Sequence, residues 1–394
     1  MPRTIVQPRR VTSRADLFGA GPFAWAHDVP GWKDVGWHRA ILCILVGWVP
    51  LAILSAFEGR AMGDRAHASV LFDYAAYGRY VIAAPAFAFA GAVALPELAG
   101  VVRQFTDAEL IAEHDRGRYD ALVESTRRLL LARWIDVTLV LLAFVLAFAT
   151  SSLLYPHDVS SWVTPGPASA GRLSLAGWWR TLVSQPLFYL LMSVWLWRLL
   201  LWTRFLYRTV RLDLRLVAAH PDLLGGLRFA LVPLRGFTIL AFGMGAITAG
   251  SIAESVLIDG QPLRTFRSLI GLHLIFVLAL LAGPTLLLMG RMIRLQAWGT
   301  FHYGRLATEV GHAFQQRWLA DGRAIGSDAL TAQDFSATTD LYSIAANVRA
   351  INPFVLDARI IIMLATATLL PFVPLLFAVL PLEELAQLAL KALV

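Results

Sequence analysis

The chain has 394 residues, 57% hydrophobic and only 15% charged, with a formal net charge of +7 and a mean hydropathy of +0.62. A soluble domain carries about a quarter charged residues, so a chain this apolar cannot keep its surface wet and lipid must solvate much of it. The basic excess, 32 Arg against only Lys33 and Lys391, lacks the aromatic or glycine pattern of a nucleic-acid reader; it suits loops facing anionic lipid, and no nucleic acid is expected as a partner.

Residues 1–39 form a polar N-terminal segment with no evident signal peptide, because the first apolar run begins near residue 40 and no small-residue cleavage site follows it. A hydrocarbon core about 30 Å thick needs about 20 apolar residues in a helix. Stretches of that kind occur at 40–57 and 79–99. Residues 101–133 then carry mixed charge and helical character, with Thr106 and Glu109 as a candidate capping box. Further apolar stretches follow at 134–154, 183–203, 236–257 and 268–290, and the last of these runs on as a helix through 291–320 toward Gly322. The two polar helices, 101–133 and 291–320, are expected to pack together. Residues 320–357 read as a looser loop with one short helix near 339–350. A seventh apolar stretch, 359–380, carries Pro371 and Pro374, with Pro381 just beyond; it either crosses with a kink or breaks and returns. An amphipathic tail closes the chain.

The expected fold is therefore an all-α polytopic transmembrane helical bundle of 6–7 spans with helical cytoplasmic extensions. Its parts are an N-terminal segment (1–39), a membrane domain (40–290), a cytoplasmic helix and loop (291–357) and a C-terminal part (358–394). With the N-terminus inside, segments 1–39, 100–133, 198–235 and 291–359 hold 26 Lys plus Arg, and the alternate segments hold 8. By the positive-inside rule this split predicts a multi-pass protein of a cell inner membrane with its N-terminus in the cytoplasm. The single cysteine, Cys43, lies in an apolar run and excludes an intrachain disulfide or a multi-cysteine metal site.

Three segments carry a resemblance. DYAAYGRYVIAAP at 73–85, HPDLLGGL at 220–227 and the proline-rich apolar stretch 351–388 are similar to an uncharacterised family of bacterial multi-spanning membrane proteins. The resemblance covers about a fifth of the chain; it implies the same membrane topology and brings no activity with it.

Ionisable residues inside spans are the first places to look for function. Asp136 and Arg198 lie at similar depth on the third and fourth spans, a plausible ion pair. Glu254 and His273 lie toward the outer ends of the fifth and sixth and could face a shared vestibule; Asp73 and Arg79 flank the outer start of the second. Each also has a purely structural reading, as a pair between helices or as a side chain reaching the interface. In the 220–227 loop, His220 and Asp222 could form a proton-sensitive pair or bind a cation or partner, or Asp222 could simply cap the turn. Arg204, Arg208, Arg211 and Arg215 are spaced for one helical face, suited to lipid phosphates or to acids of 101–133. Gly245, Ala246, Ala249 and Gly250 form small-xxx-small pairs that permit close helix packing or line a pathway. Glu309 and His312 sit in an E-x-x-H spacing that di-iron bundles use twice; with no second copy, no metal or other cofactor is expected.

No nucleotide loop, nucleophile elbow or zinc-protease motif is present. The leading expectation is a channel- or transporter-like pathway for ions or small solutes, with a homo-oligomer among the expected assemblies. The alternative is a non-catalytic membrane scaffold or regulatory subunit that docks a partner through its cytoplasmic helices. An integral enzyme acting on a lipid-like substrate ranks third.

Overall fold

The computed structural model describes residues 18, 36–61, 69–151, 162–163, 173–319 and 333–379. Nearly all of the expected N-terminal segment and all of the C-terminal tail beyond 379 lie outside them. A segment crossing hydrocarbon must satisfy its backbone polar groups internally, and the described residues accordingly form helices. These are α1 (Gly36–Phe57), α2 (Tyr74–Asp107), α3 (Arg116–Leu130), α4 (Arg133–Ala149), α5 (Leu175–Val210), α6 (Arg228–Leu257), α7 (Leu263–Trp318), α8 (Gln333–Arg349) and α9 (Ala358–Val379). Six of them are long and apolar enough to cross a membrane. A seventh crossing is counted when α3 and α4, bent by 48° where they meet, are taken together. The fold is a polytopic all-α bundle.

The third stretch is α-helical over Arg133–Ala149 and continues as helix to the last described residue there, Ser151. The proline-bearing last stretch is helical over all 22 residues of Ala358–Val379. Its prolines tighten it to a 3-10 turn at Leu370–Phe372 without turning it back.

The same physics recurs along the bundle. Proline has no N–H, so a carbonyl one turn earlier loses its partner and the helix must re-pair one residue nearer or farther. Helix α1 breaks at Trp48, just before Pro50. Ahead of Pro85, α2 opens to a π-helix over Tyr77–Ala83, and α5 does so over Arg180–Ser184, ahead of Pro186. Helix α7 tightens to 3-10 geometry over Gly283–Leu288, around Pro284. Pro96 is the exception and sits inside α2 without a break.

Helix α6 is the axis of the bundle, packed against α2 on one side and α9 on another. Its small residues make that position possible. A Cβ placed on Gly78 of α2 would lie 2.5 Å from the carbonyl oxygen of Ala246, and one on Gly250 would lie 2.6 Å from that of Tyr74. A Cβ on Gly245 would overlap the carbonyl of Thr368 in α9. The stripe of Gly245, Ala246, Ala249 and Gly250 is thus covered by neighbouring helices: α9 backbone over Gly245, α2 backbone over Ala246 and Gly250, and Ala249 packed near Phe372 and Leu375. One continuous apolar core extends outward from it, including Phe87, Leu98, Phe205, Phe237, Leu281 and Leu364.

Among the described residues, the connections that follow α2, α5 and α7 meet at one face, where Arg204, Arg211, Arg215, Arg228 and Arg291 lie. Several expectations change there. Residues 101–133 do not form one helix: α2 ends at Asp107, Glu109 takes a φ of +51°, and α3 begins only at Arg116. Thr106 and Glu109 therefore mark a helix end and not a capping box at a start. The chain between pairs as an isolated antiparallel bridge, Ile111 with Leu214, and Arg215 N–H donates to Leu110 O at 2.8 Å. Helix α3 lies on α5, with Tyr119 donating its hydroxyl proton to Val102 O at 2.7 Å. The long extension of α7 packs instead along α8, which runs 17 residues where a shorter helix was expected.

Candidate functional site

At the face opposite the arginines, charged groups converge on the start of α2. Asp73 is its N-cap: Oδ1 accepts from Ala76 N–H at 2.6 Å, and Oδ2 accepts from Trp162 Nε1 at 3.2 Å. Glu254 reaches across from α6 and accepts from Ala75 N–H at 3.3 Å. Two carboxylates thus take consecutive amides at a helix N-terminus, where the helix dipole favours negative charge. The charges acting on Glu254 are those of Asp73, Arg79 and Asp259. Tyr80, one residue after Arg79 in the π-helix, is 2% exposed, and Arg180 from the second π-helix lies beside its hydroxyl. The guanidinium of Arg180 is 5.9 Å from the ring centre of the fully buried Trp162.

Asp73, Arg79 and Glu254 are therefore brought together. His273 is not part of the group: its Nδ1 lies 3.2 Å from Thr248 Oγ1, about two helical turns from Glu254 along α6. Sequence reasoning missed Tyr80, Trp162 and Arg180. The usable signal was proline: Pro85 and Pro186 each follow a widened turn that carries an arginine.

The 220–227 loop at the arginine-rich face is built around Asp222. Its Oδ1 accepts from the N–H groups of Leu224 at 2.8 Å and Gly226 at 3.1 Å, and Oδ2 accepts from that of Arg228 at 3.1 Å. His220 Nδ1 lies 2.7 Å from Oδ1 and 3.2 Å from the backbone N of Asp222. Partial burial alone would raise the carboxyl pKa, but three amides and the imidazole outweigh it and hold Asp222 below the usual range. Leu223 and Gly225 take positive φ, 59° and 64°. A Cβ on Gly225 would meet Leu295 of α7 at 2.5 Å, so the loop is seated directly on that helix. Asn352 N–H donates to Leu223 O at 3.3 Å, and Arg228 pairs with Asp357 at 2.9 Å, fastening the loop to the chain before α9. The loop's acceptors are spent on backbone amides.

Asp115 plays a similar part nearby, with its side chain 4% exposed. It accepts from Asp213 N–H at 2.8 Å and from Arg118 at 2.9 Å. The backbone hydrogen bond is the main cause of its lowered pKa.

The four-arginine stripe does not persist, because α5 ends at Val210. Arg204 donates to Thr126 Oγ1 at 3.1 Å and Ser125 Oγ at 3.0 Å, hydroxyls of α3 where acids were expected. Arg208 is exposed, Arg211 folds over Tyr207 with 4.2 Å to its ring centre, and Arg215 lies in the bridged segment. The end of α5 is held by Arg291, which donates to Val210 O at 2.8 Å and Leu212 O at 2.6 Å. Asp136 and Arg198 sit on the packed pair α4 and α5. Arg198 faces the Trp195 ring at 5.2 Å and the like charge of Arg39, and no ion pair with Asp136 is among its described contacts.

Glu309 pairs with Arg305 at 3.3 Å on the exposed part of α7. Among the described residues, no three His, Cys, Asp or Glu side chains gather as a metal ion would require. Comparison with protein-family models, with curated proteins and with solved structures yields no match to this chain.

Proposed function

We infer that the protein is a non-catalytic scaffold or regulatory subunit of a bacterial inner membrane, docking a partner through helices beneath its arginine-rich face. The observation that carries this reading is the hairpin of α7 and α8. Over Met289–Trp318, 30 residues, α7 buries only Met292 and Gly299. A helix of that length projects about 45 Å. Trp298 and Phe301 on it are 52% and 78% exposed, and Phe335, Tyr342 and Ile344 of α8 are exposed as well. A cavity of about 560 Å³ opens between the helices, lined by Ala307, Tyr342, Ala345, Ala346 and Arg349. Aromatic side chains in a row on a projecting hairpin suit burial by another protein. The packing of α6 supports the same reading, since Gly245, Ala246 and Ala249 of the small-residue stripe are buried against neighbouring helices. The charge split of 26 against 8 supports placing this face in the cytoplasm, and the family resemblance adds topology only.

A photo-crosslinker at position 301 tests the inference. We expect one stoichiometric partner, lost when residues 320–350 are deleted and weakened about tenfold or more by Phe301→Ser with Tyr342→Ser. Absence of any stoichiometric adduct sinks the reading.

A solute pathway is the second reading, and the charges at the π-helices of α2 and α5 are what favour it. Intramembrane ionisable groups and π-bulges both concentrate at functional sites. Reconstituted liposomes showing no flux above empty ones, for a panel of ions at several pH values and potentials, would remove it.

A further inference from the structure

Three helices lose their regular backbone pairing at the same place. Pro50 offers no N–H to Val46 O, and α1 breaks at Trp48. Pro85 and Pro186 likewise leave Val81 O and Leu182 O, inside the π-helices Tyr77–Ala83 of α2 and Arg180–Ser184 of α5. These breaks touch one another. A Cβ on Gly47 would lie 3.7 Å from the Cβ of Tyr80, and the ring centres of Trp48 and Tyr77 are 5.1 Å apart. Trp179 Nε1 donates to Val46 O at 3.0 Å, and Ser184 Oγ donates to Gly47 O at 2.6 Å. Side chains of α5 thus serve the carbonyls at the break in α1. A bend concentrated at this level disturbs fewer intact ladder bonds than one in regular helix.

Beyond the breaks, on the face away from the arginines, the ends of the same three helices are tied together. Leu175 N–H donates to Glu58 Oε1 at 2.9 Å, joining α5 to α1. Trp162 Nε1 donates to Asp73 Oδ2 at 3.2 Å at the start of α2. Ser174, the N-cap of α5, donates its hydroxyl proton to Trp162 O at 2.6 Å. Val49–Phe57 packs along Leu175–Trp179. Beside this body runs α6, α-helical without a break over Pro233–Leu257. The two meet where Gly250 approaches Tyr74 O and where Ala75 N–H donates to Glu254 at 3.3 Å.

We propose that the ends of α1, α2 and α5 form one cap that tilts against α6 about the three breaks, with the Glu254 bond as its catch. The seat allows it. Gly78 and Gly250 present no side chains to interlock at the contact with α6, so the packed surfaces can slide. A rotation of about 20° at Trp48 carries the end of the arm Val49–Phe57, 9 residues long, through about 5 Å. The motion needs neither functional reading, and it is the gate if the chain carries solutes.

Double electron–electron resonance on the full chain in lipid nanodiscs tests this, with spin labels at exposed positions in a Cys43→Ala background. Phe57→Cys and Leu175→Cys report the cap, Ile41→Cys the other half of α1, and Leu257→Cys the end of α6. The pairs 57–257 and 175–257 are each expected to show two distances about 5 Å apart, and the pair 41–257 one. Glu254→Ala should raise the displaced population about twofold or more. Pro85→Ala with Pro186→Ala, which lets the ladders re-pair, should remove it. One distance for both cap pairs, in wild type and Glu254→Ala alike, would overturn the proposal. So would a split in only one cap pair, an equal split in the pair 41–257, or a displaced population that persists in the proline variant. Should the proline variant fail to fold, the wild-type and Glu254→Ala distances decide it.

Discussion

The two faces of this membrane bundle handle polar groups in opposite ways. At the arginine-rich face, side chains are spent on backbone: Asp222 on three amides, Asp115 on Asp213 N–H, Arg291 on the last carbonyls of α5, and Gln296 on Ile351 O at 2.9 Å. The bonds of Asp222 shape its own loop, and the others join segments far apart in sequence. At the opposite face, Asp73 and Glu254 also take one amide each, but they share one helix start with Arg79, Arg180 and Tyr80, so charged side chains there act on one another as well. A backbone amide has one geometry, whereas a cluster of side chains can redistribute charge without moving the chain. The first face is a fixed platform and the second an adjustable one.

Breaking the platform should have the larger effect. Asp222→Ala strands three amides in a part-buried loop, each worth about 1–3 kcal/mol when left without an acceptor. We expect a loss of about 3 kcal/mol, read as a large fall in melting temperature in detergent; a change under about 1 kcal/mol would show that water replaces the carboxylate freely.

A smaller effect follows from pH. Folding lowers the carboxyl pKa of both Asp115 and Asp222, so below the ordinary value of about 3.9 the unfolded chain binds more protons than the folded one. Their contribution is fully present above that value and is lost as pH falls through the lowered ones. Melting temperature should be flat from about pH 7 to pH 5 and fall below about pH 4. A variant with Asp115→Asn and Asp222→Asn should start lower and show a flatter acid limb. Parallel acid limbs for the two proteins would place the titrating groups elsewhere.

The smallest effect belongs to the adjustable face. Glu254→Gln keeps an acceptor for the single 3.3 Å bond to Ala75 N–H and should cost less than about 1 kcal/mol. A loss as large as that of Asp222→Ala would erase the contrast between the faces.

How much of this was legible in the sequence depended on distance along the chain. Hydropathy located the crossings because burial in lipid is paid residue by residue, and it followed α7 out of the membrane to within a few residues of Trp318. It left the last stretch open between a kinked crossing and a break, since apolar length says nothing of whether a proline stops a helix or tightens it. Pairings between helices were beyond it. Glu254 and His273 looked like neighbours because both lie toward the same end of adjacent spans, yet rotation about α6 turns Glu254 toward α2. The arginine stripe assumed that α5 continues past Val210, and nothing local announces that Arg291, 81 residues later, ends it. Asp222 was readable in part, since capping the turn was one of the roles that a short carboxylate before paired glycines offered; the seat on Leu295 was not.

The close approach of Gly245 to Thr368 also bears on how the bundle is made. Helix α6 leaves the ribosome more than a hundred residues before α9, so the side of α6 that meets α9 backbone must first meet lipid. Only when α9 has inserted does that seat fill, so this contact of α6 cannot form while α9 is still being synthesised.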